Sequence, residues 1–301
     1  MIEYRQPIRA TADTFTHYLY ATPGHEPILM AFVNALLDYA GEPLVKEIQV
    51  KNPFNPKTFP TDKQSIIDIK ALTTNDRQFV IEFQTSPYDS FIKRLEFNWA
   101  KTFSIQLNEG EHYRLLLPVM VIAVLNYLLF DRLSDLCNMF HITAKNDPSF
   151  VLSKDFLLFT LELVEKKIDR IRLLPRPLRD WAEFFWYADK KTEDEMNILL
   201  ADCDPIIKLA YGKYTFFMQS EELRLVEESR QQYLHDRATE MEYATRTGIE
   251  KGMKKGMKKG IKKGMEKGMI VVARNLKDIG VDSETIAKAT GLTVEEIDRL
   301  D

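Results

Sequence analysis

Apolar positions in PILMAFVNALLDYA recur at four-residue spacing, Ile28, Phe32 and Leu36 beside Leu29, Val33 and Leu37. That spacing predicts a helix with one wide buried face, begun by Pro27 in its first turn. Leu44 to Lys51 alternates loosely as a strand, and NPFNPKTFPTD is too rich in Pro and Asn to be either element. Two strands follow, Gln64 to Leu72 and Gln78 to Thr85, joined by TTNDR. From Tyr88 to Leu107 the spacing of Phe91, Leu95, Trp99 and Phe103 is helical again, and Val119 to Leu125 has the unbroken apolarity of a buried central strand. The order is α, β, β, β, α, β, with two further strands expected near Leu136 to Thr143 and Phe156 to Val164. After Pro175 the pattern turns to helices rich in Trp, Phe and charge: RDWAEFFWYADK, EDEMNILLADC, Pro205 to Met218, and a polar helix from Glu221 to about Arg246.

This shift places a boundary near Pro175 to Pro177 and divides the chain into a domain at 1–175, a helical region at 176–247, a Gly/Lys-rich linker at 248–269 and a small tail at 270–301. The 301 residues suffice for one large or two smaller cores. Cys137 and Cys203 stand far apart with no CxxC or Cys/His spacing, which fits a reducing compartment and argues against a structural zinc site. The N-terminus lacks a basic start followed by an apolar core. The longest apolar run, Leu115 to Phe130, is interrupted by Pro118 and Asn126 and falls short of the ~20 residues that span a bilayer. The expectation is a cytoplasmic protein without membrane contact. No GxxxxGKS loop, GxSxG elbow or HExxH is present, and His17, His25, His112, His141 and His235 are scattered singly. Nucleotide hydrolysis, esterase and zinc-protease chemistry therefore have no anchor.

Both strands of the hairpin carry an acid inside an apolar run, Asp68 in IIDIKA and Glu82 in FVIEFQ. Strand side chains alternate faces, so Asp68 shares a face with Lys70, and Glu82 with Gln84, while Phe79, Ile81 and Phe83 point the other way. Directly opposed residues of an antiparallel pair have numbers adding to a constant. A hairpin centred on Asn75 sets it at 150, the sum of 68 and 82. The carboxylates would then be cross-strand neighbours, about 4.5–5.5 Å apart at Cβ. Opposed like charges are destabilising unless a proton or cation lies between them, and a hard divalent cation takes carboxylate oxygens and activates a bound water for attack on phosphorus. The alternative is a solvated sheet face with Lys70 and Gln84 as polar company.

The segments IIDIKA and FVIEFQ resemble the Asp...Glu-x-Gln signature of the PD-(D/E)XK nuclease family transposases, also known as Rpn recombination-promoting nucleases. The resemblance extends upstream through DTFTHYLYATPGHEPILMAFVNALLD and VKNPFNPKTFPTDK and downstream through FIKRLEFNWAKTFSIQL and LPVMVIAVL, roughly residues 12 to 130. It implies an α/β fold, a restriction-endonuclease-like αβββαβ core with a mixed sheet, followed by a helical C-terminal region. It also implies a metal-dependent DNA endonuclease that promotes recombination, using Mg2+ or Mn2+. By position, Asp68 and Glu82 match the metal ligands, and Gln84 stands where the wider superfamily has lysine. A neutral amide supplies a hydrogen bond but no charge to the transition state, so Lys70 is a candidate source of that charge. Glu26 is a candidate for the additional helix acid, or else complements the helix dipole. Arg94 is a candidate phosphate contact, or else part of a surface salt bridge. A second functional reading keeps the fold and DNA binding but has lost cleavage, and a third makes the helical half an adaptor.

The formal charge of −4 conceals an asymmetry: eight lysines against Glu250 and Glu266 between Gly248 and Met269 give a local +6, leaving −10 elsewhere. In that tract glycine recurs every four residues, each followed by Ile or Met, and a four-residue repeat drifts ~40° per step around a helix. Six glycines weaken a helix by on the order of 5 kcal/mol against alanine. The tract reads as a flexible or fraying helical linker, or as a sequence-independent phosphate-binding arm using Lys254, Lys255, Lys258, Lys259, Lys262 and Lys263. Beyond it, SETIAKATGLTVEEIDRL resembles a helix-turn-helix whose second helix opens on a Thr293–Glu296 capping box. Glu295, Glu296 and Asp298 suit a major groove poorly. Packing or homo-oligomerisation through Ile286, Leu292, Ile297 and Leu300 is expected instead.

Overall fold

Val119–Leu125, buried at every position, is a central strand of a six-stranded mixed sheet in the computed structural model, which describes residues 7–51, 69–73, 77–87 and 89–300. In chain order the first elements are α1 (Asp13–Ala21), α2 (Glu26–Tyr39), β1 (Ile48–Val50), β2 (Ile69–Thr73), β3 (Gln78–Gln84), α3 (Phe91–Ser104) and β4 (Val119–Leu125). Then come β5 (Cys137–Ala144), β6 (Asp147–Glu162), α4 (Glu165–Ile168), α5 (Arg176–Tyr187), α6 (Glu193–Leu199), α7 (Pro205–Gln219), α8 (Glu221–Asp278), α9 (Ser283–Thr290) and α10 (Val294–Asp298). The expected αβββαβ order runs from α2 to β4, with α1 ahead of it. The sheet order is β1-β2-β3-β4-β6-β5; β3, β4 and β6 are parallel, and the remaining pairs are antiparallel.

Helices cover both faces of the parallel strands, which is why those strands are apolar without alternation. Phe79, Ile81 and Phe83 enter a core with α1, α2, α5 and α7, whereas Val80, Val121, Ala123 and Leu125 face α3 through Phe91 and Leu95. The boundary expected near Pro175 does not divide the core. Leu178, Trp181, Phe184 and Phe185 of α5 and Tyr214 and Phe217 of α7 belong to the same cluster as Phe15, Phe32 and Phe83. The aromatic richness that suggested a separate region is the apolar face that completes the first layer. The chain instead forms two compact units, Met1–Tyr233 and Leu234–Asp301.

In the second unit the tract from Gly248 to Met269 lies within the continuous helix α8, and its Ile and Met side chains are exposed. Ala273, Ile286 and Ile297 form a small core between the end of α8, α9 and α10. The Thr293–Glu296 capping box is formed, and Lys277 Nζ donates to the carbonyls of Ile297, Asp298 and Leu300 at 3.2, 3.1 and 2.7 Å, closing the end of α10. Ile286 and Ile297 are thus engaged within their own chain and do not present a surface to a second copy.

His17 of α1 is 5% exposed, and burial pushes its pKa down from 6.5 to about 4. The folded state therefore favours the neutral ring. Its contribution is complete above pH 6.5 and drains as pH falls toward 4, to a total of ~3 kcal/mol. His17→Gln is expected to flatten the dependence of the urea midpoint on pH across that window; an unchanged slope would assign the acid sensitivity to other groups.

Candidate active site

Glu82 lies near the carboxyl end of β3, 1% exposed, on the face covered by α3. Two polar side chains of that helix hold it. Arg94 Nη2 is 3.0 Å from Glu82 Oε2, and Asn98 Nδ2 donates a short hydrogen bond to Glu82 Oε1. Phe91, Arg94, Leu95, Asn98 and Thr102 occupy positions i, i+3, i+4, i+7 and i+11, so α3 presents a guanidinium and an amide from within its sheet-facing stripe. The Arg94 side chain is only 17% exposed. The surface salt bridge weighed for Arg94 is therefore a buried pair on the candidate catalytic acid.

The described β2–β3 pairs, Ile69 with Ile81 through Leu72 with Gln78, all add to 150. This is the register expected of a hairpin centred on Asn75. Asp68 and Asn75 themselves lie outside the described residues. Lys70 is exposed, paired with Val80, and on the Glu82 face. Gln84 is half-buried, and its amide donates to Ser86 O at 3.0 Å. Tyr127, just after β4, packs edge-on against Phe91; burial first and the Glu82 charge second push its pKa up to about 12, which keeps the phenol protonated.

Asp13 of α1 lies within electrostatic range of Arg94. Asp13 opens α1, its carboxylate 3.2 Å from Arg230 Nη2 of α8; burial raises its pKa while Arg230 and Arg94 pull it down. Beside it Thr14 donates to Glu227 Oε2, and Gln231 Nε2 donates to Glu227 Oε1 at 2.6 Å. Glu26 opens α2, which packs against α1, α5, α7 and β1, and it acts on His25 next to Lys213. The sequence reading missed Asp13 because DTFTHYLYA is buried from Thr14 through Ala21 and shows no one-sided stripe. It missed Asn98 although the signal was present, a polar residue at a core-facing position of an amphipathic helix.

Glu162, at the end of β6, is a second buried acid on the same sheet face but is engaged structurally. Lys167 Nζ lies 2.9 Å from Oε1, and the backbone N–H groups of Leu129 and Phe130 donate to Oε2 at 2.9 and 3.2 Å. Among the described residues no cluster of three or more His, Cys, Asp or Glu side chains has metal-holding geometry. Glu82 has the hard carboxylate chemistry that a magnesium-like cation prefers, and a cation there would have to displace Arg94 or Asn98 from one of its oxygens.

A buried acid on the second strand of the β2–β3 hairpin, clamped by the helix that follows, lies inside a longer match to a known family: residues 12–244 fit the PD-(D/E)XK nuclease family transposases. The chain belongs to this family. Its six-stranded mixed sheet and flanking helices are accordingly the restriction-endonuclease-like fold, and the match runs past β4 through α5, α6 and α7 into α8. Neither a curated protein nor a solved structure gives a significant match. Among the described residues of this transposase-family protein no helix is long and apolar enough to cross a membrane.

Proposed function

We propose that the protein is a DNA endonuclease that hydrolyses phosphodiester bonds with Mg2+ or Mn2+ held by Glu82 and Asp68, producing breaks that promote recombination. The observation that carries this reading is Glu82: a fully buried carboxylate on a β3 whose register, continued by one pair, would oppose it to Asp68. The family supports DNA as the substrate. When bound between these acids, the cation would lower the pKa of a coordinated water and polarise the phosphate. Asn98 orients the Glu82 carboxylate. Arg94 offsets its charge in the resting protein and is the first candidate to supply to the developing phosphorane the positive charge missing at Gln84. Lys70, on the same face, is the second candidate for that role. Glu26 is the helix-acid candidate by position, and Asp13, which senses the Arg94 charge, is a second candidate.

The lysines of the 248–269 tract are exposed on α8 and suit nonspecific phosphate contact. Truncation before Gly248 is expected to weaken DNA binding at low salt and to reduce the slope of log K against log salt, because counterion release scales with the phosphates neutralised. Equal slopes for full-length and truncated protein would leave the tract as a helical spacer only. Wild-type nicking of supercoiled plasmid, dependent on divalent cation, tests the activity; retained DNA binding without nicking would support the non-cleaving alternative.

A further inference from the structure

A polar cavity of about 220 Å³ opens at the carboxyl ends of β4 and β6, lined by Arg9, Thr11, Asn126, Trp186, Asp189 and Lys190 among others. This is the end of a parallel sheet where ligands characteristically bind. The cavity lies on the α5 side of the sheet, opposite the α3 side that Glu82 faces, and Asn126, just past the end of β4, is the residue between the two at the strand ends. The backbone N–H of Asn126 donates to Gln84 O at 3.1 Å, and its Oδ1 accepts from Thr11 Oγ1 at 2.6 Å. In the β3–β4 register, Ala123 pairs with Glu82. Three residue rises and one strand spacing therefore put Asn126 about 11 Å from Glu82 along the backbone.

The lining has a particular chemistry. Asn126 Oδ1 is occupied, which turns its amide N–H groups to donor duty. Asp189 is half-buried, and among the described residues its carboxylate forms no ion pair; the hydrogen bond acting on it comes from its own backbone N–H. Burial raises its pKa, with that backbone hydrogen bond and then Lys190 and Arg9 opposing. A guest that donates a hydrogen bond returns the solvation Asp189 has lost. Trp186 adds an aromatic wall with Lys190 Nζ 2.8 Å above its ring centroid. The two cations and two acids of the lining, Arg9 and Lys190 against Glu165 and Asp189, cancel, so the cavity suits a neutral polar guest rather than a phosphate.

We propose that this cavity receives one unpaired nucleobase bearing an exocyclic amine, cytosine in the first instance, from the DNA strand engaged at Glu82. This rests on the DNA reading above. The base amine donates to Asp189, the usual acidic partner of cytosine N4, and the adjacent ring nitrogen accepts from Asn126. Thymine would set its O4 lone pairs against the Asp189 carboxylate and be disfavoured. The cavity is below the 300–1,000 Å³ typical of drug-sized ligands, which fits a single base.

The test is binding of fluorescein-labelled dC12 and dT12 to the full-length protein in EDTA, where no strand is cut. The wild type should favour dC12 by about tenfold. Asp189→Asn should bring the ratio close to one, by weaker dC12 binding and tighter dT12 binding, because the amide no longer accepts from the cytosine amine and donates to thymine O4. A wild-type ratio near one, or a ratio that survives Asp189→Asn, overturns the base pocket while the DNA reading stands. Failure to bind either oligonucleotide overturns both. Free deoxycytidine competing as well as dC12 would assign the cavity to a nucleoside and overturn its connection to the strand.

Discussion

Glu82→Gln is expected to lower metal-dependent DNA cleavage by on the order of 10³-fold, because it removes an anionic oxygen where charge must be balanced during phosphoryl transfer. The same change leaves Arg94 beside a neutral amide, and an ion of a largely buried pair that loses its partner destabilises the fold. With Arg94 17% exposed, a loss of about 1–3 kcal/mol is expected. The two consequences are separable. Glu82→Gln combined with Arg94→Gln should recover most of the lost stability in urea titrations and none of the cleavage. Recovery of cleavage in the double variant would show that Glu82 acts on structure alone.

Arg94→Ala is expected to reduce cleavage by about 100-fold, the size of effect typical of removing one preorganised transition-state donor. Adding Gln84→Lys to that variant should restore a substantial part of the rate, since a lysine on β3 returns positive charge to the same end of the strand. Gln84→Ala alone should be mild, because its amide donor is directed to Ser86 O. Single-turnover rates on a labelled duplex measure all three. Two results oppose this account: an unimpaired Arg94→Ala variant, or a double variant no better than Arg94→Ala. A large loss in Lys70→Ala with a silent Arg94→Ala would move the charge to β2.

The fold was legible where burial imposes a simple pattern. Val119–Leu125 matches its apolar run at both ends, and α2 follows the four-residue spacing from Ile28. The hairpin register was legible too, because TTNDR sets the parity and parity decides which face Glu82 takes. Three features were not. Helix α1 is buried on nearly every side, so its sequence has no amphipathic period. The helices after Pro175 carry their own aromatic-rich composition, and only tertiary packing shows that Trp181 and Phe217 complete the core of Phe15 and Phe32. The pairing of Arg94 and Asn98 with Glu82 joins a helix to a strand, and helical spacing places those residues on a face without naming what they meet.

For the 248–269 tract, glycine content argued for fraying, and the chain forms a continuous helix there. Each glycine of the tract has open space where a methyl group would project, so alanine substitutions would add helix propensity without a clash. The lysines, not the glycines, are the feature that the DNA-binding measurement interrogates.

The most direct test of the nuclease assignment is nicking of supercoiled plasmid by wild-type protein beside Asp68→Ala and Glu82→Gln, each with Mg2+, Mn2+ and EDTA. The account predicts open-circle product from the wild type with either cation, none in EDTA, and none above background from either variant. Wild-type protein that binds the plasmid but leaves it intact with both cations would contradict it, as would nicking that persists in both variants.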